Sequence, residues 1–369
     1  MKPTDRFYDF LEDFRSPFAR DRDRVIHCSS FRRLEYKTQV FLNHEGDYFR
    51  TRLTHSLEVS QIARTIAHTL GLNDILAETI ALSHDLGHTP FGHVGGDTLD
   101  ELLKEDGRVF GFEHNFQSFR VLTKLEKRYK PFDGLNLTYA TLEGVLKHSY
   151  PYQKPFSSSL FEAFFLDKHP SFEAMVVDFA DEIAYTSHDI DDGIHYKLIG
   201  FEDIIENPLV QKINHIIEKN DNIYMNEKLY RQRFVSTLIR VLVEDFITHS
   251  KYTISQFPST PQSSIIDASK SLDIGFSKEI TRDMKLLKKL LFQKLYHHKD
   301  IVRNMYAGSR CIKGLYRAFN ENHHLLPQEE IKLMGKREPK RVISDYIASM
   351  TDRYALKLYN QLYGRGLKS

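Results

Sequence analysis

The chain has 369 residues, and its 51 Lys plus Arg against 50 Asp plus Glu leave no charge imbalance that would draw it as a whole to nucleic acid or a membrane surface. Hydrophobic residues make up 41%, enough for one large domain or a core with an appended unit. Two distant cysteines, Cys28 and Cys311, exclude a disulfide scaffold and a thiolate zinc site, and no apolar run approaches the ~20 residues of a membrane span. The expectation is a soluble, cytoplasmic protein with no membrane partner.

Apolar residues recur at helical spacing almost throughout, and alternation is confined to the short YKTQVFL stretch, so the predicted fold is all-α. A first helix is predicted from near Thr54 to Gly71, with Leu57, Ile62, Ile66 and Leu70 on one face. Asn73 or Asp74 caps a second, which carries Ile75, Leu76, Ile80 and Leu82 inward and ends at Gly87. His84 and Asp85 then fall in its last turn. Pro90 and three glycines predict a loop over TPFGHVGG.

Further helices are predicted at about 97–106, 114–130, 138–148 and 171–198. In the last, Met175, Val176, Phe179, Ile183, Ser187 and Ile190 share one face, and Asp178, Asp181, Tyr185, Asp189 and Asp192 another. Beyond 200 the helical pattern continues, broken by a Ser/Thr/Pro-rich loop at 256–271. Basic residues gather in MKLLKKLLFQKLYHHK and GKREPKR, which read as a solvated helix face and a charged loop, with phosphate binding as the alternative.

The chemistry lies in scattered histidines and aspartates: His55 in RTRLTHSLEVS, His84-Asp85 in ALSHDLGHTPFGH, and Asp181 in VVDFADEIAYTSHD. Imidazole with carboxylate suits a divalent ion such as Mn, Fe, Co or Zn, and leaves coordination positions for water or phosphate oxygen. Successive helical side chains point about 100° apart, so His84 and Asp85 share an ion only at a helix end, with other ligands arriving from neighbouring helices. The set points to metal-assisted hydrolysis. Of 18 histidines, those between His84 and His114 cluster, and His88, His93 and His114 are candidates for protonating a leaving group.

Several segments together resemble the HD-domain phosphohydrolases, and within them the bacterial deoxyguanosine triphosphate triphosphohydrolases and their dNTPase relatives. They are SPFARDRDRVIHCSSFRRLEYKTQVF, EGDYFRTRLTHSLEVSQIARTIA, HDLGHTPFGH, FEHNFQS, DFADEIAYTSHDIDDG and DYIASMTDRYA. The resemblance implies an HD core over about 1–200 that binds metal and nucleotide, and a helical region over 201–369 that completes it, makes oligomer contacts and returns its MTDRYA segment to the active-site region. It implies His55, His84, Asp85 and Asp181 as ligands of a divalent metal, Mn²⁺, Mg²⁺ or a transition ion. It also implies cleavage of a dNTP at the α-phosphorus to deoxynucleoside and tripolyphosphate. His114 then resembles the general acid, with His93 also in the site. Arg52 and Tyr185 are implied as phosphate contacts, and Gln39 and Asp189 as contacts to the sugar 3′-hydroxyl.

The family is also associated with hexamers, an activating nucleotide between subunits and, in some members, single-stranded DNA. Its loop reads GHxGE or GHxGD, whereas here Gly96 occupies the acidic position and Asp97 follows. Asp97 is read as the cap of the helix DTLDELL, with the alternative that Gly95-Gly96 lets it swing into the vacated catalytic place. Arg32 and Arg33 are read equally as phosphate contacts or structural ion pairs. The leading expectation is an active dNTP triphosphohydrolase. The alternatives are a catalytically impaired nucleotide-binding regulator, and an HD hydrolase of other nucleotides or nucleic-acid ends.

Overall fold

The computed structural model describes residues 2–9, 11, 13–39, 50–149, 163–164, 167–220, 226–257 and 271–364. Among them the regular elements are all helical, and β-pairing is limited to isolated bridges such as Thr38 with Thr51. Residues 40–42 of YKTQVFL and 258–270 of the expected loop lie outside the described residues.

Helices α1 (Pro17–Ile26) and α2 (Ser29–Arg33) precede α3 (Arg52–Thr69) and α4 (Asp74–Ser83). α3 begins two residues before the predicted start because Thr51 and Thr54 cap each other: each hydroxyl accepts from the other residue's backbone N–H. His55, Val59, Ile62, Ala63 and Ile66 form its buried face. Leu57, predicted on that face, is 48% exposed, since at 100° per residue it lies opposite Ile66. Asn73 caps α4 by accepting from Leu76 N at 2.9 Å. After Ser83 the chain tightens into a 3₁₀ turn over His84–Gly87. This turn packs so closely on Ser118 that a Cβ at Gly87 would lie 2.1 Å from the Ser118 backbone nitrogen.

The predicted loop over TPFGHVGG is shorter than expected, because Gly92–Gly96 already belong to α5 (Gly92–Glu105). Three glycines argue against a helix by propensity, but Leu99, Leu102 and Leu103 anchor the element through packing. α6 (His114–Arg120) runs into a π turn at Val121–Leu125 and stops before the predicted 130. α7 (Tyr139–Leu146) and α8 (Phe172–His195) follow, capped by Thr138 and Ser171. The C-terminal part comprises α9 (Pro208–Asn220), α10 (Glu227–Ser255), α11 (Lys278–Leu291), α12 (Lys299–Glu321), α13 (Gln328–Met334), α14 (Pro339–Ala348) and α15 (Asp352–Tyr363).

Two apolar clusters organise these helices. The larger joins α3, α4, α7 and α8 to α10 and α11 through residues such as Ile66, Ile80, Ile183, Phe246 and Leu287. The smaller joins Leu99 and Leu103 of α5 to Ile312, Leu315 and Phe319 of α12 and Ile343 and Ile347 of α14. Among the described residues no helix is long and apolar enough to cross a membrane.

Candidate active site

Where α3, the 3₁₀ turn and α8 meet, one donor atom from each of His55, His84 and Asp181 lies within 4.8 Å of the others. His55 Nε2 is 2.8 Å and His84 Nε2 3.7 Å from Asp181 Oδ1. His84 Nδ1 lies 2.6 Å from the Ala81 carbonyl, an acceptor, which puts the proton there and leaves Nε2 a lone pair facing the cluster. That buried nitrogen has no hydrogen-bond partner. Asp85 stands beside the trio, with Oδ1 3.4 Å from His84 Nε2. It is also held by Arg52 Nη1 at 2.9 Å and His88 Nε2 at 3.0 Å.

Burial alone would raise both carboxyls, yet both are held well below the usual range. His148 and His55 outweigh burial at Asp181; the Arg52 guanidinium and the hydrogen bond from His88 do so at Asp85. Burial also lowers His84, keeping it neutral. The neutral His84 imidazole with its unpartnered lone pair, the His55 ring beside it and two ionised carboxylates fit a divalent metal.

The three histidines considered for proton transfer form a row. His88 stacks on His114 at 4.3 Å between ring centres and meets His93 edge-on at 5.6 Å. Removal from water, with Arg52 nearby, lowers all three. Asp97 does not cap the next helix: α5 has already begun at Gly92, and Asp97 sits exposed within it. It lies one turn after His93, where its charge partly offsets the lowering of that imidazole.

Arg52 is fully buried and spends one nitrogen on Asp85, while its Nε and Nη2 have no partner. Tyr185 donates toward Tyr296, whose hydroxyl donates to Asp189 Oδ2 at 2.6 Å. Burial raises Asp189 to about 7 despite that bond. Gln39 is buried, its amide oxygen unpaired, and its backbone carbonyl lies beside Gly92. Arg32 and Arg33 donate to the carbonyls of His27 and Ser349.

Sequence reasoning missed His148 and Tyr296. His148 follows α7 by two residues, with Nδ1 2.6 Å from Asp178 Oδ1 and Nε2 3.5 Å from Asp181 Oδ2. Burial opposes its charge, but these two aspartates hold it well above the ordinary histidine range. No motif marks it, and Tyr296 was hidden in a stretch read as a solvated basic face. The acidic stripe of α8 is engaged by partners: Asp178 and Asp181 meet histidines, Asp189 meets Tyr296, and Asp192 pairs with Arg50 at 2.8 Å.

Residues 52–186 match the HD domain model, and residues 274–361 match the phosphohydrolase-associated domain. A deoxyguanosinetriphosphate triphosphohydrolase-like protein of Wolinella succinogenes is 59% identical over 98% of this chain and 100% of its own. Proteins of the same description from Geobacter sulfurreducens and Ralstonia pickettii are each 44% identical, covering 96% and 95% of this chain and 90% and 88% of their own. With relatives matched almost end to end and both domain models in place, the chain belongs to the deoxyguanosinetriphosphate triphosphohydrolase-like family of HD-domain phosphohydrolases.

Proposed function

We propose that the protein is a metal-dependent dNTP triphosphohydrolase, converting dGTP or another dNTP to deoxynucleoside and tripolyphosphate. The observation that carries this reading is the His55–His84–Asp181 convergence beside Arg52, whose two buried nitrogens lack partners. His55, His84, Asp85 and Asp181 would hold Mn²⁺, Mg²⁺ or another divalent ion, which supplies Lewis-acid polarisation of the reacting oxygens. Arg52 offers its free N–H groups to phosphate oxygen, and Tyr185 adds a hydroxyl, so charge developing on the phosphate meets fixed donors.

His114 protonates the leaving 5′-oxygen. Its lowered pKa keeps it neutral before substrate arrives, and bound polyphosphate anion draws the proton on. His93 lies on the same row of rings as a positioning group, its charge state biased by Asp97. Asp189 accepts from the sugar 3′-hydroxyl, and the ring of Tyr296, held by that same carboxylate, is the aromatic surface offered to the sugar.

The test is incubation of purified, metal-analysed protein with each dNTP and with GTP, singly and mixed, plus Mn²⁺ or Mg²⁺, followed by chromatography of the products. Deoxynucleoside with tripolyphosphate is expected; orthophosphate or pyrophosphate would place the scissile bond elsewhere. Gly96 favours one second reading, an impaired nucleotide binder. A Cβ there meets the Phe112 ring no closer than 3.8 Å, so Gly96→Glu is sterically admissible. With Asp97 already near His93, the variant is expected to change kcat by less than about 10-fold. A larger gain in kcat would favour the impaired binder.

A further inference from the structure

Three chain segments distant in sequence meet behind the histidine row, and Asp352 joins them. Asp352 opens α15 and is buried, with only 2% exposure. A carboxylate in the first turn of a helix ordinarily serves that helix's own positive end. Here both oxygens reach elsewhere: Oδ2 accepts from Thr38 N at 3.0 Å and Oδ1 from Phe91 N at 3.0 Å. Thr38 immediately precedes Gln39, and Phe91 stands two residues before His93.

The backbone at this junction explains why a clamp is needed. Phe91 adopts φ 66° and Gly92 φ 65°, so two successive left-handed residues launch α5. For phenylalanine that conformation is strained and persists only where the surroundings enforce it. Gly92 presses on the Gln39 carbonyl, where a Cβ would sit at 3.1 Å, and a Cβ at Gly308 on α12 would meet the Phe91 side chain at 2.8 Å. A second strut runs alongside. The buried ammonium of Lys37 donates to the His88 carbonyl and, at 2.8 Å, to the Ala348 carbonyl at the end of α14.

We propose that Asp352, supported by Lys37, is a positioning residue. From the C-terminal region it fixes the left-handed Phe91–Gly92 step, and so sets where His88, His93 and Gln39 stand relative to the metal ligands. The consequence for turnover rests on the triphosphohydrolase reading; the clamp itself does not.

The experiment compares wild type, Asp352→Asn and Lys37→Met by hydrogen–deuterium exchange, metal titration and dNTP turnover. Asparagine keeps the shape but offers one acceptor to two N–H groups, and Lys37→Met supplies an independent test should Asp352→Asn fold poorly. Expected are exchange at least about 10-fold faster in peptides spanning 88–93, unchanged exchange in α3 and α8, and Mn²⁺ affinity within about 2-fold of wild type. kcat/KM is expected to fall by about 10-fold to 100-fold, because small displacements of positioned groups are costly. In a His93→Ala background, Asp352→Asn is expected to cost at least about 3-fold less than it does in wild type, since part of its effect runs through His93.

Unchanged exchange at 88–93 overturns the clamp. Loss of Mn²⁺ affinity in step with activity, or full multiplication of the His93 and Asp352 effects, overturns positioning. Wild type that turns over no dNTP, with exchange still accelerated in Asp352→Asn, overturns the triphosphohydrolase reading and leaves the clamp supported.

Discussion

The His84 Nε2 lone pair is buried, faces two carboxylates and lacks a proton of its own, an arrangement that costs stability unless a cation answers it. Replacing His84 or Asp181 by Ala is therefore expected to lower bound Mn²⁺ and to cut turnover by at least about 10³-fold, measured by metal analysis and by product chromatography. Retained turnover without metal would sink the assignment. Asp189 supplies a pH signature. Its pKa is raised from 3.8 to about 7, so its contribution to stability is complete below 3.8 and is lost as pH climbs through about 7. Asp189→Asn removes that loss and should stabilise metal-free protein at pH 8, relative to pH 5, by on the order of 2 kcal/mol in calorimetry. Parallel wild-type and variant slopes would count against it. At this scale the motifs singled out His55 and His84, which the fold brings within 4.8 Å of Asp181. His148 was not singled out, since only the fold brings it to Asp178 and Asp181.

At the scale of elements, α5 shows where local propensity misleads. Its first turns carry Gly92, Gly95 and Gly96, and the sequence reading placed a loop there. The two later glycines differ in kind: a Cβ at Gly95 would lie 2.1 Å from the Pro90 carbonyl oxygen, whereas one at Gly96 meets nothing closer than 3.8 Å. Gly96→Ala is thus expected to stabilise the protein by about 0.5–1 kcal/mol, and Gly95→Ala to destabilise it by about 2 kcal/mol or more, in denaturant titrations. Equal effects would show that α5 is not packed on the Pro90 turn as described. By contrast, the starts of α4 and α8 were legible almost to the residue, because Asn73 and Ser171 are side-chain caps placed directly before strong apolar periodicity, while their ends fell four and three residues short of the expected ones.

Across the whole molecule, the all-α class followed from helical spacing repeated along the chain, whereas the return of the MTDRYA segment to the site region was expected and its particular contacts were not. Asp352 and Thr38 are 314 positions apart, and no periodicity connects them. The same holds for the two apolar clusters, whose membership interleaves distant segments. His55, His84 and Asp181 stand on elements of the larger cluster, while His93 rides on α5, which packs into the smaller one. Loosening of the smaller cluster by mild denaturant should therefore silence the enzyme before its ion is released. The check is to follow activity and Mn²⁺ release along one urea titration; coincident midpoints would show that the clusters unfold together. If activity is lost first, the protein has a dormant state that keeps its metal and regains turnover on dilution of the denaturant, without reloading.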